Sequence, residues 1–199
     1  MLFYLNERKV TIPMSLFYYM AASHGLPTGS FGKKNTTMTL MDYVTYVNPE
    51  AKNHTHMQTL LENYPKGDKL VEIYETAEDA AGLYVRGPME DQDASHIFRF
   101  PYVYEVHPDG GSFQMNEEIK RSYPTAYPCY QKCLTELFHY LDRNLEIGEQ
   151  IELFSCWADG SERFEEAAKL EPDLTLKLTE LLQAEEFEWR TQQYIVVKK

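Results

Sequence analysis

The chain has no surplus of positive charge. Its 19 Lys and Arg stand against 31 Asp and Glu, a formal net charge of −12. A nucleic-acid binder must neutralise phosphates with a basic footprint, and none is visible, which speaks against that partner class. Anionic membranes are disfavoured for the same reason. No uninterrupted apolar run reaches the length of about 18 residues that a bilayer-crossing helix needs. The acidity is not a tail: residues 1–112 hold nine basic and fourteen acidic residues, and 113–199 hold ten and seventeen.

Cysteine is scarce. Cys129, Cys133 and Cys156 are an odd number and too few for a disulfide framework. Met1-Leu2-Phe3-Tyr4-Leu5 runs straight into Asn6-Glu7-Arg8-Lys9, so no secretory h-region forms. These features lead us to expect a cytoplasmic protein with reduced thiols. There is no internal repeat and no low-complexity segment. No stretch completes a metal, nucleotide or nucleophile motif, and no cofactor is implied.

What is present is ample core material. Hydrophobic residues make up 43% of 199, with 15 Tyr and 10 Phe. A chain of this length buries about 70% of its unfolded surface and needs no metal or disulfide to fold. Tyrosine, an apolar ring with a polar tip, suits half-buried sheet faces and binding surfaces alike.

Along the chain, residues 1–12 read as extended. Pro13 suits a first helical position, so Ser15 to Ala21 reads as a short helix stopped by Gly25 and Pro27. A polar loop follows at 26–37. Met38 to Val47 fits a helix face and a strand equally. Residues 55–63 read as a helix opened by a Thr55–Gln58 capping box and broken at Pro65 to Asp68. Lys69 to Tyr74 and Leu83 to Val85 read as strands pairing across a turn at Glu78 to Ala81. Ser95 to Val106 reads as a long aromatic strand, which Pro101 assigns to an edge or a bulge. Pro108-Asp109-Gly110-Gly111 is a turn.

After Pro128 comes the best helix. Cys129, Cys133, Leu134, Leu137, Phe138 and Leu141 form one apolar stripe, and Gly148 closes the section. Gln150 to Trp157 is apolar on both faces and reads as a central strand. A turn at Asp159-Gly160 leads into a charged helix at 161–169. Residues 174–182 satisfy strand and helix periods together, and Phe187 to Val197 reads as a closing strand. The expectation is an α+β fold: one domain over 1–199, with a soft boundary near 109–113 and a mixed or mainly antiparallel sheet carrying helices on one face.

Each candidate for chemistry has a plain structural counterpart. Gly29-Ser30-Phe31-Gly32-Lys33-Lys34 resembles a phosphate loop, but Pro27 and Lys34 stand where Gly and Ser or Thr are required. It reads as a surface loop whose Lys33 and Lys34 can contact an anion. His54 and His56 would share a face on a strand but diverge at a helix entrance, and no third ligand stands at a standard spacing. Cys129 and Cys133 share a helix face, the apolar one, where thiols pack as small hydrophobes.

Cys156, near a strand end, is the best nucleophile candidate, with His107 as base and Asp109 as orienter. The carboxylate pairs Glu117-Glu118, Glu165-Glu166 and Glu185-Glu186 are too many for any one to be distinguished. Tyr123 and Tyr127, each before a proline, are candidate binding aromatics. Two readings follow. The first is a non-catalytic interaction module (inhibitor, immunity-type or adaptor) using an acidic, Tyr-bearing surface against a basic protein, with a homo-oligomer left open. The alternative is a small enzyme with a dispersed, thiol-dependent site at Cys156 and His107.

Overall fold

A computed structural model describes residues 15–90, 93–158 and 171–199. The fold is α+β, built on a mixed seven-stranded sheet. In chain order its strands are β1 (Ser15–Ala22), β2 (Gly29–Phe31), β5 (Gly82–Arg86), β6 (Tyr102–Asp109), β8 (Gln150–Ala158), β9 (Leu174–Lys177) and β11 (Tyr194–Lys198). Their spatial order is β2-β5-β6-β1-β8-β11-β9. All neighbours are antiparallel except β11 and β9, which run parallel.

Ser15 to Ala22 is thus a central strand and not the expected helix. Tyr18, Met20 and Ala22 pack on one face of the sheet, and Tyr19 and Ala21 on the other. A short run that is apolar on both sides suits a strand covered twice, and bulky aromatics fit the pleat. The flanking Pro13 and Gly25 mimic helix punctuation, and two-sided burial overrides it. β8 lies between β1 and β11, the central place expected of it.

The main helix, α5 (Tyr127–Asn144), covers one face. All six residues of its apolar stripe are buried. They meet Met20, Leu83, Val85, Val106, Leu153 and Ile195 from the sheet in the largest core cluster. That cluster draws on both sides of 109–113, so the soft boundary divides no core. The turn before the helix hugs it: a Cβ at Gly111 would stand 2.6 Å from Cys133 Sγ and 2.9 Å from the Cys129 carbonyl oxygen. Two short strands, β7 (Gln114–Met115) and β10 (Phe187–Glu188), pair on their own, and α4 (Glu117–Ser122) leads towards α5.

The opposite face is closed by residues 94–100. Ala94, Ile97 and Phe98 pack with Tyr19, Val103, Phe154 and Tyr194. Here the long aromatic strand is corrected, because regular pairing begins only at Tyr102, after Pro101. β6 is also internal, between β5 and β1. The buried carboxylate of Glu152 ties this cover down. It accepts from the backbone N–H of Arg99 at 2.8 Å and of Phe100 at 3.3 Å, and from the Tyr194 hydroxyl at 2.8 Å. Burial, with the hydrogen bond and charge of Glu152, pushes the Tyr194 phenol up.

Between β2 and β5 the chain makes a small lobe. The hairpin of β3 (Thr36–Thr39) and β4 (Leu70–Ile73) frames the helical turn α1 (Leu40–Asp42), a π-turn at Tyr43–Val47, a 3-10 turn at Pro49–Asn53 and α2 (Thr55–Asn63). Its core is Leu40, Val44 and Ala51. The ambiguous stretch 38–47 is both things in succession, strand and then helix. β4 pairs with β3, not with β5 as expected, because α3 (Ala77–Ala80) separates them. The helix at 55–63 is present, but His54 is its N-cap and makes no side-chain cap bond, so the capping box is not formed.

Candidate functional site

Among the described residues the last sheet strand, β9, has only β11 as a neighbour. It leads directly into α6 (Leu178–Leu181), and the chain then returns through residues 184–193 to β11. The segment 174–182 therefore resolves its double periodicity by being a strand first and a helix second. The alternation places Leu174 and Leu176 on one side, towards a groove of about 500 Å³. Leu181, Ala184 and Phe187 complete an apolar floor. Phe187 stacks edge-on against Phe138 of α5, with ring centroids 5.3 Å apart, which anchors the floor to the main core.

Glu180, Glu186 and Glu188 stand around this floor, all exposed. The cations nearby are committed: Arg190 Nε lies 3.0 Å from Glu188, and Lys177 Nζ lies 3.7 Å from Glu180. Both pairs are exposed and weak, so an incoming cation can displace either one. The groove offers apolar contact ringed by carboxylate. Among the described residues its lining holds no histidine or cysteine, and its titratable groups are Glu180, Glu186, Glu188 and Arg190.

The residues singled out from sequence lie elsewhere. Lys33 pairs with Asp109. Burial works against its charge, yet the hydrogen bond and charge of Asp109 prevail and hold its pKa above the ordinary value. Lys34 is exposed beside it, in a cleft of about 470 Å³ shared with Glu75 and Asp79. β2 precedes these lysines and β3 follows, so the loop does not open into the helix that a phosphate cradle requires. His54 and His56 are exposed at the start of α2, and no metal-competent group of three occurs among the described residues. Cys129 and Cys133 are core residues, and burial pushes the Cys133 thiol up to about 11.

Cys156 is 1% exposed within the second core cluster. The register pairs Phe17 of β1 with Cys156 on one side, and Tyr18 with Val106 on the other, which sets Phe17 level with His107. The two residues thus share a face but flank β1, with backbones about 10 Å apart. His107 Nε2 lies 2.8 Å from Glu105 Oε1 instead. Of the two tyrosines, Tyr127 is buried in the main core, whereas Tyr123 projects, 54% exposed, against Tyr130. The charged helix expected at 161–169 lies outside the described residues.

Sequence reasoning missed the groove. Its signals were present separately: the Leu174/Leu176 alternation and the Glu185-Glu186 pair, one of several carboxylate pairs. Only the return of the chain through 184–193 joins them. No family model, curated protein or solved structure matches this chain. Among the described residues no helix is long and apolar enough to cross a membrane.

Proposed function

We propose that the protein is a non-catalytic interaction module that docks a basic protein on an acidic surface centred on the groove beside β9. The observation that carries this reading is the apolar floor of Leu174, Leu176 and Phe187 ringed by Glu180, Glu186 and Glu188. Apolar area supplies affinity, while the carboxylates, on a chain of net charge −12, steer a cationic partner and reject acidic ones. Tyr123, exposed at the end of α4, is an aromatic anchor available to the same function. A cytoplasmic setting with reduced thiols belongs to this reading.

The test is capture from lysate of the native host with wild type and with a variant carrying Glu180→Lys, Glu186→Lys and Glu188→Lys. The expected result is one dominant basic partner, released by salt from wild type and not retained by the variant. A companion that both proteins hold equally, at low and at moderate salt, overturns the reading.

A further inference from the structure

An edge strand carries a row of backbone N–H and C=O groups on its outer side, ready to pair with another chain. Among the described residues β9 is the terminal strand of the sheet, and three of its four residues are exposed. Proteins that keep such edges silent cover them. Here the strand instead borders the groove, with Leu174 and Leu176 facing the floor. We propose that β9 accepts an extended basic segment of the partner protein as an added strand. Its alternate side chains would fill the groove and its lysines or arginines would reach Glu180, Glu186 and Glu188. The inference rests on the acidic-docking reading above and specifies its mode.

The geometry sets the chemistry of the segment. A strand added beside β9 runs about 4.8 Å from it, and every second side chain then turns towards the floor. Valine or leucine suits those positions. Lysine and arginine suit the two ends of that same side, because their stems lie along apolar surface while their heads reach the carboxylates that line the groove. Main-chain pairing supplies affinity without regard to sequence, whereas the floor and the three glutamates supply selectivity. A second copy of this chain is a poor occupant, since it brings the same glutamates and the same net charge to the contact.

The probe is a capped peptide of about seven residues, a common strand length, of sequence Lys-Thr-Val-Thr-Val-Thr-Lys, which keeps its valines and lysines on one side of the strand. It is titrated into the full-length protein at low salt by NMR and calorimetry. Two further peptides keep every side chain but carry backbone N-methyl groups on alternate residues, one along each edge. Strand addition predicts that one edge's methylation weakens binding tenfold or more while the other's does not, and that the amides of residues 174–177 gain exchange protection. If neither methylation matters but salt and the Glu180→Gln, Glu186→Gln, Glu188→Gln variant still weaken binding, strand addition is overturned and acidic docking stands. If binding ignores salt and that variant too, both are overturned. Absence of binding by the parent peptide overturns the added strand, and the capture experiment then judges docking separately.

Discussion

At the scale of single residues, the polar atoms that matter for stability are those taken out of water. Glu152 is fully buried, and its carboxylate satisfies two backbone donors of the 94–100 cover as well as Tyr194. Glu152→Gln swaps one accepting oxygen for a donor, so either the two backbone N–H groups or the Tyr194 hydroxyl lose their acceptor, and it costs about 1–3 kcal/mol in urea unfolding. Tyr194→Phe removes a single bond and costs about 1 kcal/mol. In the double mutant the second change costs less than it does alone, and strict additivity would show that the bond contributes nothing. The sequence offers no hint of this: Glu152 looks like any polar residue in Gln150 to Trp157, and only the fold back of residues 94–100 makes it a clasp.

Buried groups of high pKa also set the alkaline limit of the fold. Burial raises Cys133 from its ordinary 9.0 to about 11 and Tyr18 from 10.0 to about 12. Both are held neutral when folded and lose their protons more readily when unfolded. Above the ordinary value the unfolded chain binds fewer protons than the native one, so stability falls as pH rises. The contribution is whole below pH 9 and is lost between about 9 and 11 for Cys133, and between about 10 and 12 for Tyr18. Each shift is worth at most about 2–3 kcal/mol. The urea midpoint should be flat from pH 7 to 8.5 and then decline, and Cys133→Ala should be less stable at neutral pH yet decline later. A wild-type midpoint unchanged at pH 11 would falsify this account.

At the scale of elements, periodicity is legible where one face is buried, and where both are, as in β1 and β8, only the flanking residues and length are left to decide. The stripe of α5 has one buried face and a polar remainder, so its period of 3.6 was plain to read. β1 buries both faces, and Ser15 to Ala22 therefore has no period to distinguish strand from helix. Residues 38–47 and 174–182 satisfied both periods because each changes from strand to helix partway along. The small lobe at 36–73 predicts uneven stability. Its core is three buried residues, whereas the main cluster unites the sheet with α5. Leu40→Ala should open this lobe first, at a cost of about 2–4 kcal/mol. Hydrogen exchange will read it: amides in α1 and α2 should lose protection while those of β1 and β8 keep theirs. Equal loss in both regions would show that lobe and sheet unfold as one.

At the scale of the whole molecule, the dominant quantity is the net charge of −12. Excess charge of one sign repels itself in the compact state, and salt screens that repulsion over a Debye length of about 10 Å at 0.1 M. Among the described residues the pairs Lys120–Glu117, Lys177–Glu180 and Arg190–Glu188 are exposed on both sides, so screening them costs little stability. Raising ionic strength from low to moderate should therefore raise the melting temperature of the protein alone. The same change should weaken its complex with a basic partner, chiefly by slowing association. These opposite signs separate two uses of acidity. An acidic surface that served solubility alone would give the first effect without the second. Thermal melts and binding kinetics across one salt series, on wild type and on the Glu180→Gln, Glu186→Gln, Glu188→Gln variant, read both at once. The variant should melt as high as wild type or higher, because it sheds repulsion, and its association rate should depend less steeply on salt. If the rate keeps the wild-type slope, the acidity that steers the partner lies outside the groove beside β9.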